Sequence, residues 1–285
     1  WHFVRQGSFR REGIHHLRGG VGQQRVPPEY LANAKVPLPP LDEQSRIVAR
    51  IKDCMERVDE IDSLRQASKA ESSLILRAYY YDLYHELLKR HATFSLAEAG
   101  TSVGGGTPSK KQADYWTGDI PWVSPKEMKN RDTSKSSLCI TKEAIENSST
   151  KLIIAPSVMF VVRGMILAHT LPVAVNRVPV TMNQDMKAIT PKMGLVVDFL
   201  AAMVRGAERD LLAQVEIAGH GTRRLKTEVW SAAPIPNLSE DEQAAVIAEV
   251  QNMEAVADEL SNKIDFEEVS MLRESILRKA FNGEL

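Results

Sequence analysis

Residues 37–48 read PLPPLDEQSRIV, and residues 236–247 read PNLSEDEQAAVI. The two passages belong to one longer alignment, because residues 22–64 match residues 221–263 without a gap at a constant offset of 199 positions. In both copies a loop leads through a short proline-containing segment into a stretch without helix breakers. An internal repeat of this length indicates one structural module used twice. The sequence therefore predicts a duplicated unit of a folded domain followed by a helix.

Long helices are predicted after each copy of the repeated motif. Neither Gly nor Pro occurs between Leu41 and Ala99 or between Asn237 and Asn282. Apolar residues recur every three or four positions in both stretches, which is the spacing of a coiled-coil seam. They are Ile47, Ile51, Cys54, Val58 and Ile61 in the first stretch and Val246, Val250, Met253, Ala257, Leu260 and Ile264 in the second. The seams can pair within one chain or between two chains, and the sequence favours neither.

Signals for helix starts and breaks are local. Ser239 followed by Glu242 predicts a capping box, and Asp42 with Glu43 places acidic charge in the first turn of the other helix. The serine-rich run 63–73 is where the first helix could be interrupted.

Charge is distributed unevenly along the 285 residues, although the net charge is only −1. Residues 1–35 and 92–230 each carry a net charge of +4, whereas residues 231–285 carry −8. Positive charge therefore lies outside the helices, as expected if those parts meet a polyanion. No apolar run approaches the roughly 18 residues of a membrane span, so we expect a cytoplasmic protein without membrane contact. Two isolated cysteines predict neither a disulfide nor a zinc site.

Residues 92–236 differ from the helical stretches in composition and in the spacing of their apolar residues. Short β-rich runs at Leu152–Ile154, Val158–Val162 and Val173–Val175 are separated by turn residues, and one helix-like apolar stretch lies at Val196–Val204. This pattern predicts an α+β globule. Three motifs stand out in it: GGGTPSKK at 104–111, YWTGDIPW at 115–122 and MNQD at 182–185.

These motifs together resemble the specificity subunit of a type I restriction-modification system. The resemblance is carried by the GGTPS and YWTGDIPW segments, the repeated DEQ motif, and the ending ILRKAFNGEL at 276–285. In that family two target recognition domains alternate with two long helices, and each domain reads one half of a split DNA site. The resemblance implies an α+β fold in which a globular α/β target recognition domain is joined to two long helices packing as an antiparallel coiled coil.

The resemblance also implies a division of the chain into four segments. Residues 1–41 correspond to the tail of a first target recognition domain, 42–91 to the first spacer helix, 92–238 to a second target recognition domain, and 239–285 to the second spacer helix. We therefore expect a fragment with one complete recognition domain. A half-subunit that self-associates through its helices is the alternative.

Candidate DNA-contacting residues are basic and amide side chains on loops, because Lys and Arg bind phosphates while Gln, His and Arg can read base edges. They are Gln23, Gln24, Arg25, Lys110, Lys111, Lys126, Lys129, Arg131, His220, Arg223 and Arg224. The equivalent loops of the two repeats differ, with GQQR at 22–25 against GTRR at 221–224, which suits an asymmetric target.

Other residues of the motifs have a structural interpretation. Asn183 and Gln184 either read bases or satisfy a buried loop backbone, and the second interpretation is favoured. Trp116 and Trp122 are predicted to pack in the core.

No catalytic residue is predicted. The run at Gly104 lacks the second glycine of a phosphate-binding loop, and the motifs of dinucleotide-binding proteins and amino-methyltransferases are absent from the sequence. The resemblance implies a non-catalytic subunit that binds double-stranded DNA and recruits DNA methyltransferase and restriction/translocase subunits. Those partners would bind S-adenosylmethionine, ATP and Mg²⁺, and this chain would bind no cofactor.

Two alternatives from other classes remain open. Asp119, Glu127 and Lys129 have the order of a metal-dependent nuclease, which would act without partners. Otherwise the chain is a coiled-coil adaptor whose globule binds protein rather than DNA.

Overall fold

The computed structural model describes residues 3–20, 23–35, 38–217, 221–262, 266–282 and 284. The chain divides into two compact units. The first, which we call the helical unit, comprises Trp1–Ser73 and Ala257–Leu285, and the second, the globular unit, comprises Leu74–Val256. The four segments expected from the sequence are bounded by the ends of predicted helices, whereas these two units are bounded by compact packing. The two divisions answer different questions, so the four-segment division stays a prediction.

Helices and strands are both abundant, as the predicted α+β class requires. The helices of the described residues are α1 (Gly7–His15), α2 (Pro28–Ala32), α3 (Leu41–Arg90), α4 (Lys142–Glu146), α5 (Val197–Gly206), α6 (Glu208–Leu212), α7 (Thr227–Ser231), α8 (Glu240–Asn262) and α9 (Phe266–Phe281). The strands are β1 (Thr93–Ser95), β2 (Gly100–Gly104), β3 (Ile120–Val123), β4 (Asp132–Thr133), β5 (Cys139–Ile140), β6 (Ser157–Val161), β7 (Val173–Asn176), β8 (Thr181–Met182), β9 (Met186–Pro191), β10 (Glu216–Ile217), β11 (Arg223–Arg224) and β12 (Pro234–Pro236). Within the described ranges, none of the helices combines the length and apolar character needed to cross a lipid bilayer.

The internal repeat is visible in the secondary structure. At the 199-residue offset, α2 and α7 span equivalent residues, and α3 and α8 begin at equivalent residues. The glutamine of the DEQ motif accounts for the shared start. Gln44 donates its side-chain amide to the carbonyl oxygen of Pro39 at 2.6 Å, and Gln243 donates to the equivalent carbonyl oxygen of Leu238 at 3.0 Å. In each copy the glutamine therefore fastens the first helical turn to the segment that precedes it.

The predicted capping box is confirmed at the start of α8. The backbone N–H and the hydroxyl of Ser239 both donate to Glu242 Oε2 at 2.8 Å, and these bonds lower the pKa of Glu242. The first copy has Pro40 at the equivalent position and so lacks the hydroxyl. There Glu43 accepts two hydrogen bonds from Arg46 instead, at 2.9 and 2.7 Å.

In the helical unit, α3 packs against α9. Ile51, Leu277 and Ala280 are buried in one apolar cluster, and Arg273 forms an ion pair with Asp59 at 2.7 Å. Residues that come later in α3 contact residues that come earlier in α9, so the two helices are antiparallel, as predicted.

The serine-rich run does not interrupt α3. Ser72 donates its hydroxyl to the carbonyl oxygen of Ser68 at 2.9 Å, one helical turn earlier. Because a serine inside a helix can satisfy its hydroxyl in this way, the helix continues to Arg90. The interruption that the serine-rich run allows does not occur. The second breaker-free stretch forms α8 and α9, and residues 263–265, including Ile264 of the predicted seam, lie outside the described residues.

A five-stranded sheet in the order β2-β9-β6-β7-β4 forms the centre of the globular unit. All five residues of β6 and all four of β7 are buried, because the sheet is covered on both faces. Eight of the ten residues of α5 are buried, and this helix packs on β6, β7 and β9. Trp230 of α7 packs edge to face against Phe160 of β6, with 5.4 Å between the ring centroids.

Close packing within the globular unit depends on Gly206, at the end of α5. A Cβ at this position would lie 2.4 Å from the Cβ of Tyr84 and 2.7 Å from the carbonyl oxygen of Tyr80. Only glycine therefore allows α5 to approach the second half of α3 so closely. Tyr84 is itself fixed by donating its hydroxyl to the carbonyl oxygen of Pro234 at 2.8 Å.

Candidate nucleic-acid interface

Several strand ends of the globular unit meet at one edge of its sheets. A second sheet has the order β5-β3-β8, in which β3 and β8 are parallel and end together at the pair Val123 and Met182. In the main sheet β2 ends at Gly104, opposite Lys187 of β9, and β6 ends beside the first residue of β9. The loops that follow β2, β3, β6 and β8 therefore start close together. We call this region the sheet-edge surface; it comprises residues 104–111, 124–131, 162–164, 183–187, 216–217 and 221–224.

The glycine run is required for close packing at this surface. A Cβ on Gly105 would lie 1.9 Å from the carbonyl oxygen of Asn183, so a larger residue cannot fit without a shift of the backbone. Gly106 donates its N–H to the carbonyl oxygen of Met182 at 2.8 Å. Its own carbonyl oxygen accepts the indole N–H of Trp122 at 3.0 Å. The three motifs found in the sequence are therefore parts of one hydrogen-bonded structure.

The structural interpretation of the neighbouring motif residues is confirmed for two of them. Trp122 is buried, and Trp116 packs edge to face against it with 5.2 Å between the ring centroids. Asn183 is buried too, and its Oδ1 accepts the N–H of Asp185 at 3.0 Å. Gln184, between them, is exposed. The loop therefore presents Gln184 to solvent while Asn183 holds the turn.

Four of the predicted DNA-contacting residues are exposed lysines in the loops of this surface. Lys110 and Lys111 follow the glycine run, and Lys126 and Lys129 follow β3. In the described part of the chain, none of the four ammonium groups forms an ion pair with a carboxylate. Their positive charge is therefore available to an external anion.

The hairpin β10–β11 adds arginines to the same surface. Arg223 accepts the N–H of Gly164 at its carbonyl oxygen, at 3.0 Å, and its guanidinium Nε is buried with no hydrogen-bond partner among the described residues. Arg224 is exposed and forms an isolated antiparallel bridge with Arg163. His220, also predicted to contact DNA, lies outside the described residues.

Sequence reasoning missed Arg163 and Lys187. Each belongs to this surface only through strand register, since Arg163 pairs with Arg224 and Lys187 pairs with Gly104. No motif surrounds Arg163, and Lys187 lies just beyond the MNQD motif rather than in it, so the sequence did not single out either residue.

Arg131 has a different environment from the exposed lysines. Its Nε lies 3.3 Å from Oε1 of Glu254, a carboxylate that also accepts the hydroxyl of Tyr80 and lies 3.7 Å from Arg205. Arg131 thus joins the loop after β3 to α8. A contact between Arg131 and DNA stays a prediction.

The first-repeat candidates belong to the helical unit. Arg18 and Arg25 exchange two backbone hydrogen bonds of 3.0 Å, which close a hairpin-like loop. Gln23, Gln24 and Arg25 are exposed on this loop. The second repeat has the antiparallel pair β10–β11 at the corresponding place, although there the partner of Arg224 is Glu216. A contact of the first-repeat loop with DNA also stays a prediction.

Glu127, the central residue of the nuclease alternative, is occupied by hydrogen bonds. Its Oε1 accepts from the hydroxyl of Ser136 at 2.8 Å and from the N–H of Ser137 at 2.6 Å, and its Oε2 accepts the N–H of Ser124 at 3.1 Å. Burial by itself would raise the pKa of Glu127, but these hydrogen bonds outweigh it and hold the pKa below its usual value. Glu127 therefore acts as an acceptor that closes the loop after β3.

Metal-ligand geometry is likewise missing from the described ranges, where no group of three or more His, Cys, Asp or Glu side chains is placed to hold a metal ion. Asp119 is exposed. Cys54 and Cys139 are free and half-buried.

The chain has relatives among known proteins. The family described as "Type I restriction modification DNA specificity domain" matches residues 89–264. The specificity subunit of the type I restriction enzyme EcoR124I/EcoR124II from Escherichia coli is 34% identical over 221 residues, which cover 75% of this chain and 54% of that protein. The MjaIX specificity subunit from Methanocaldococcus jannaschii is 29% identical over 154 residues, covering 53% of this chain and 35% of that protein.

Solved structures share the fold. A chain from a structure of a type I restriction-modification system aligns with all of this chain and 70% of its own length, with a TM-score of 0.63 and 20% identity. The HsdS subunit from Thermoanaerobacter tengcongensis aligns with all of this chain and 69% of its own length, with a TM-score of 0.51 and 19% identity. The chain thus spans about half or less of the length of the curated relatives above. Because the family match covers more than half of the chain, the protein belongs to the type I restriction-modification DNA specificity domain family.

Proposed function

We propose that this chain is the DNA-reading subunit of a type I restriction-modification complex, and that its globular unit binds one half of a bipartite duplex target through the sheet-edge surface. The observation that carries the proposal is the convergence of strand ends, which brings basic loops from distant parts of the sequence to one place. Those loops supply Lys110, Lys111, Lys126, Lys129, Arg163, Arg223 and Arg224.

Lysines and arginines on such loops bind phosphates and fix the register of the protein on the duplex, whereas base edges are read by paired donors and acceptors. Gln184 is suited to the second task, because its amide is exposed on a turn that buried Asn183 holds in place. In the first repeat, Gln23, Gln24 and Arg25 are proposed to meet the DNA from the equivalent loop. Rigid strands beneath variable loops are a common arrangement for recognition.

The proposal extends to partners and cofactors. The chain recruits DNA methyltransferase subunits, which bind S-adenosylmethionine, and restriction/translocase subunits, which use ATP and Mg²⁺, in the cytoplasm. It supplies no catalytic residue itself. In the globular unit, Leu74 and Ile75 of α3 are 60% and 55% exposed, which supports a partner surface on this helix.

Salt dependence tests the DNA-binding role. Binding of the full chain to a fluorescent duplex pool is measured between about 50 and 300 mM salt, where each phosphate contact contributes a slope of about 0.9 in log affinity against log salt. We expect steep dependence for the wild type, and a shallower one when Lys110, Lys111, Lys126 and Lys129 are all replaced by Ala.

The matched control carries Lys192→Gln, which changes an exposed lysine just beyond the opposite end of β9. Its salt slope should equal that of the wild type. Binding that does not respond to salt would contradict the DNA-binding role and favour the adaptor alternative. An equal loss in the control would contradict the proposed surface.

Partner recruitment is tested by retrieving the tagged chain from its own cell lysate after nuclease treatment. Mass spectrometry should identify a large S-adenosylmethionine-dependent DNA methyltransferase. Recovery of the chain alone, or only with proteins unrelated to DNA modification, would contradict the proposed partners.

A further inference from the structure

We propose that Arg163 and Arg224 together hold a single DNA phosphate, as a two-arginine clamp at the sheet-edge surface. This inference rests on the proposed function and adds to it a residue, Arg163, that no sequence motif indicated.

Strand register places the two arginines face to face. Gly164 donates its N–H to the carbonyl oxygen of Arg223 at 3.0 Å, and Leu225 donates to the carbonyl oxygen of Val162 at 2.9 Å. These bonds flank the bridge between Arg163 and Arg224, so the two residues form a non-hydrogen-bonded antiparallel pair. In such pairs the backbones approach most closely and both side chains extend from the same face of the ribbon.

The nearby carboxylates are already bound to other side chains. Glu216 lies opposite Arg224 from strand β10, but its Oε1 is 2.6 Å from the ammonium group of Lys226. Asp185, whose backbone carbonyl accepts the N–H of Arg163 at 3.2 Å, has its carboxylate 3.3 Å from the side-chain amide of Asn183. Neither Arg163 nor Arg224 forms an ion pair with any described residue.

Two like charges directly opposite each other across strands destabilise the ribbon. An anion between them removes that repulsion, and a phosphate suits two guanidinium groups because each can donate paired hydrogen bonds to its oxygens. A base edge is neutral and would leave the repulsion in place. The pair therefore fits the DNA backbone rather than a base.

Binding of the full chain to a random-sequence 30-base-pair duplex pool across a salt series tests the clamp. Arg163→Gln should weaken binding about tenfold and lower the salt slope by about 0.9, as expected for one phosphate contact. The double variant with Arg224→Gln should lower the slope by the same amount rather than twice as much, because both residues hold one phosphate. Arg209→Gln changes an exposed residue of α6 and serves as the control. This variant should bind DNA like the wild type.

Unfolding without DNA supplies an independent readout. Arg163→Gln should unfold at the same urea concentration as the wild type or a higher one, because the substitution relieves repulsion. A lower midpoint would show that Arg163 stabilises the fold and would overturn the clamp.

The DNA measurements separate failure of the clamp from failure of the proposed function. If the wild type binds with steep salt dependence and Arg163→Gln is indistinguishable from it, the clamp is wrong while the DNA-reading role stands. A changed sequence preference of Arg163→Gln in duplex selection would make Arg163 a base reader and overturn the phosphate assignment. A wild type that does not bind duplex DNA in a salt-dependent way overturns the proposed function and the clamp together.

Discussion

Trp122 donates its indole N–H to the carbonyl oxygen of Gly106 at 3.0 Å, across sixteen residues of sequence. The bond ties the glycine loop that precedes Lys110 and Lys111 to strand β3, whose following loop carries Lys126 and Lys129. Two basic loops of the sheet-edge surface are thereby fixed relative to each other by a buried donor and acceptor.

Replacing Trp122 with Phe should destabilise the globular unit by about 1–3 kcal/mol, because the carbonyl of Gly106 loses its partner in a buried place. Urea unfolding measures the effect. Trp116→Phe is the matched control, since Trp116 is half-buried and its bond to the carbonyl oxygen of Ser109 is longer, at 3.3 Å. Equal losses in both variants would show that ring size, not the hydrogen bond, matters.

Replacing Gly105 with Ala should cost about 1–3 kcal/mol of unfolding free energy, as overpacking does, because the new Cβ overlaps the carbonyl oxygen of Asn183. DNA affinity should fall as well, since the turn at Asn183 moves. The control is Gly20→Ala, which meets no atom within 4 Å. If Gly105→Ala is as stable as the control, the tight approach is not required.

Glu127→Gln should flatten the acid side of the stability profile. The folded pKa of Glu127 is held below the model-peptide value of 4.5, so its contribution is present above about pH 4.5 and is lost as pH falls through the folded pKa. At pH 7 the substitution should cost about 1–2 kcal/mol, since Gln accepts fewer hydrogen bonds from the serines. Unfolding free energies at pH 7 down to pH 3 measure both effects.

Exposed Glu146 on α4 provides the comparison for Glu127. Glu146→Gln should leave the difference in stability between pH 7 and pH 3 close to that of the wild type. A Glu127→Gln profile with the full acid loss would contradict the structural role of the carboxylate.

Glu254→Gln should weaken the link between α8 and the loop after β3. The side chain of Glu254 is 17% exposed and lies near Arg131 and Arg205. The substitution therefore removes the negative charge that balances these two guanidinium groups. Because the site is only partly buried, we expect a loss of about 1–3 kcal/mol, below that of a fully buried pair. Gln251→Ala, exposed on the same helix, should have little effect in the same unfolding measurement.

The helical half of this fold was predictable because its signals are local. The starts of α3 and α8 follow from the DEQ motif and from Ser239, and α5 lies where the apolar stretch Val196–Val204 was noted. The break that the serine-rich run allows does not occur, because Ser72 bonds to its own helix instead of competing with it. Single-sequence patterns do not reveal which of these two outcomes a serine adopts.

The strands and the candidate site are harder to predict from sequence, because both depend on the pairing register of strands that are distant in the chain. The run Leu152–Ile154 has the pattern of a strand, but among the described residues it forms a single bridge, between Ile153 and Val180. Arg163 joins the surface because it pairs with Arg224, a partner sixty-one positions away that no periodicity identifies. Charge and loop position predict a DNA contact for Arg131, and only the fold shows that its guanidinium pairs with Glu254.

The hydrogen bonds from Gln44 to Pro39 and from Gln243 to Leu238, at the starts of α3 and α8, are each made within five residues of chain. Substitutions in the loops of the sheet-edge surface do not touch them, and exposed loop side chains contribute little to the stability of the core. A lineage can therefore exchange the exposed side chains of these loops, unlike Gly105 or Glu127, one at a time without crossing the threshold at which the protein no longer folds. Under the proposed function, evolution of new DNA recognition is in this way separated from selection on folding.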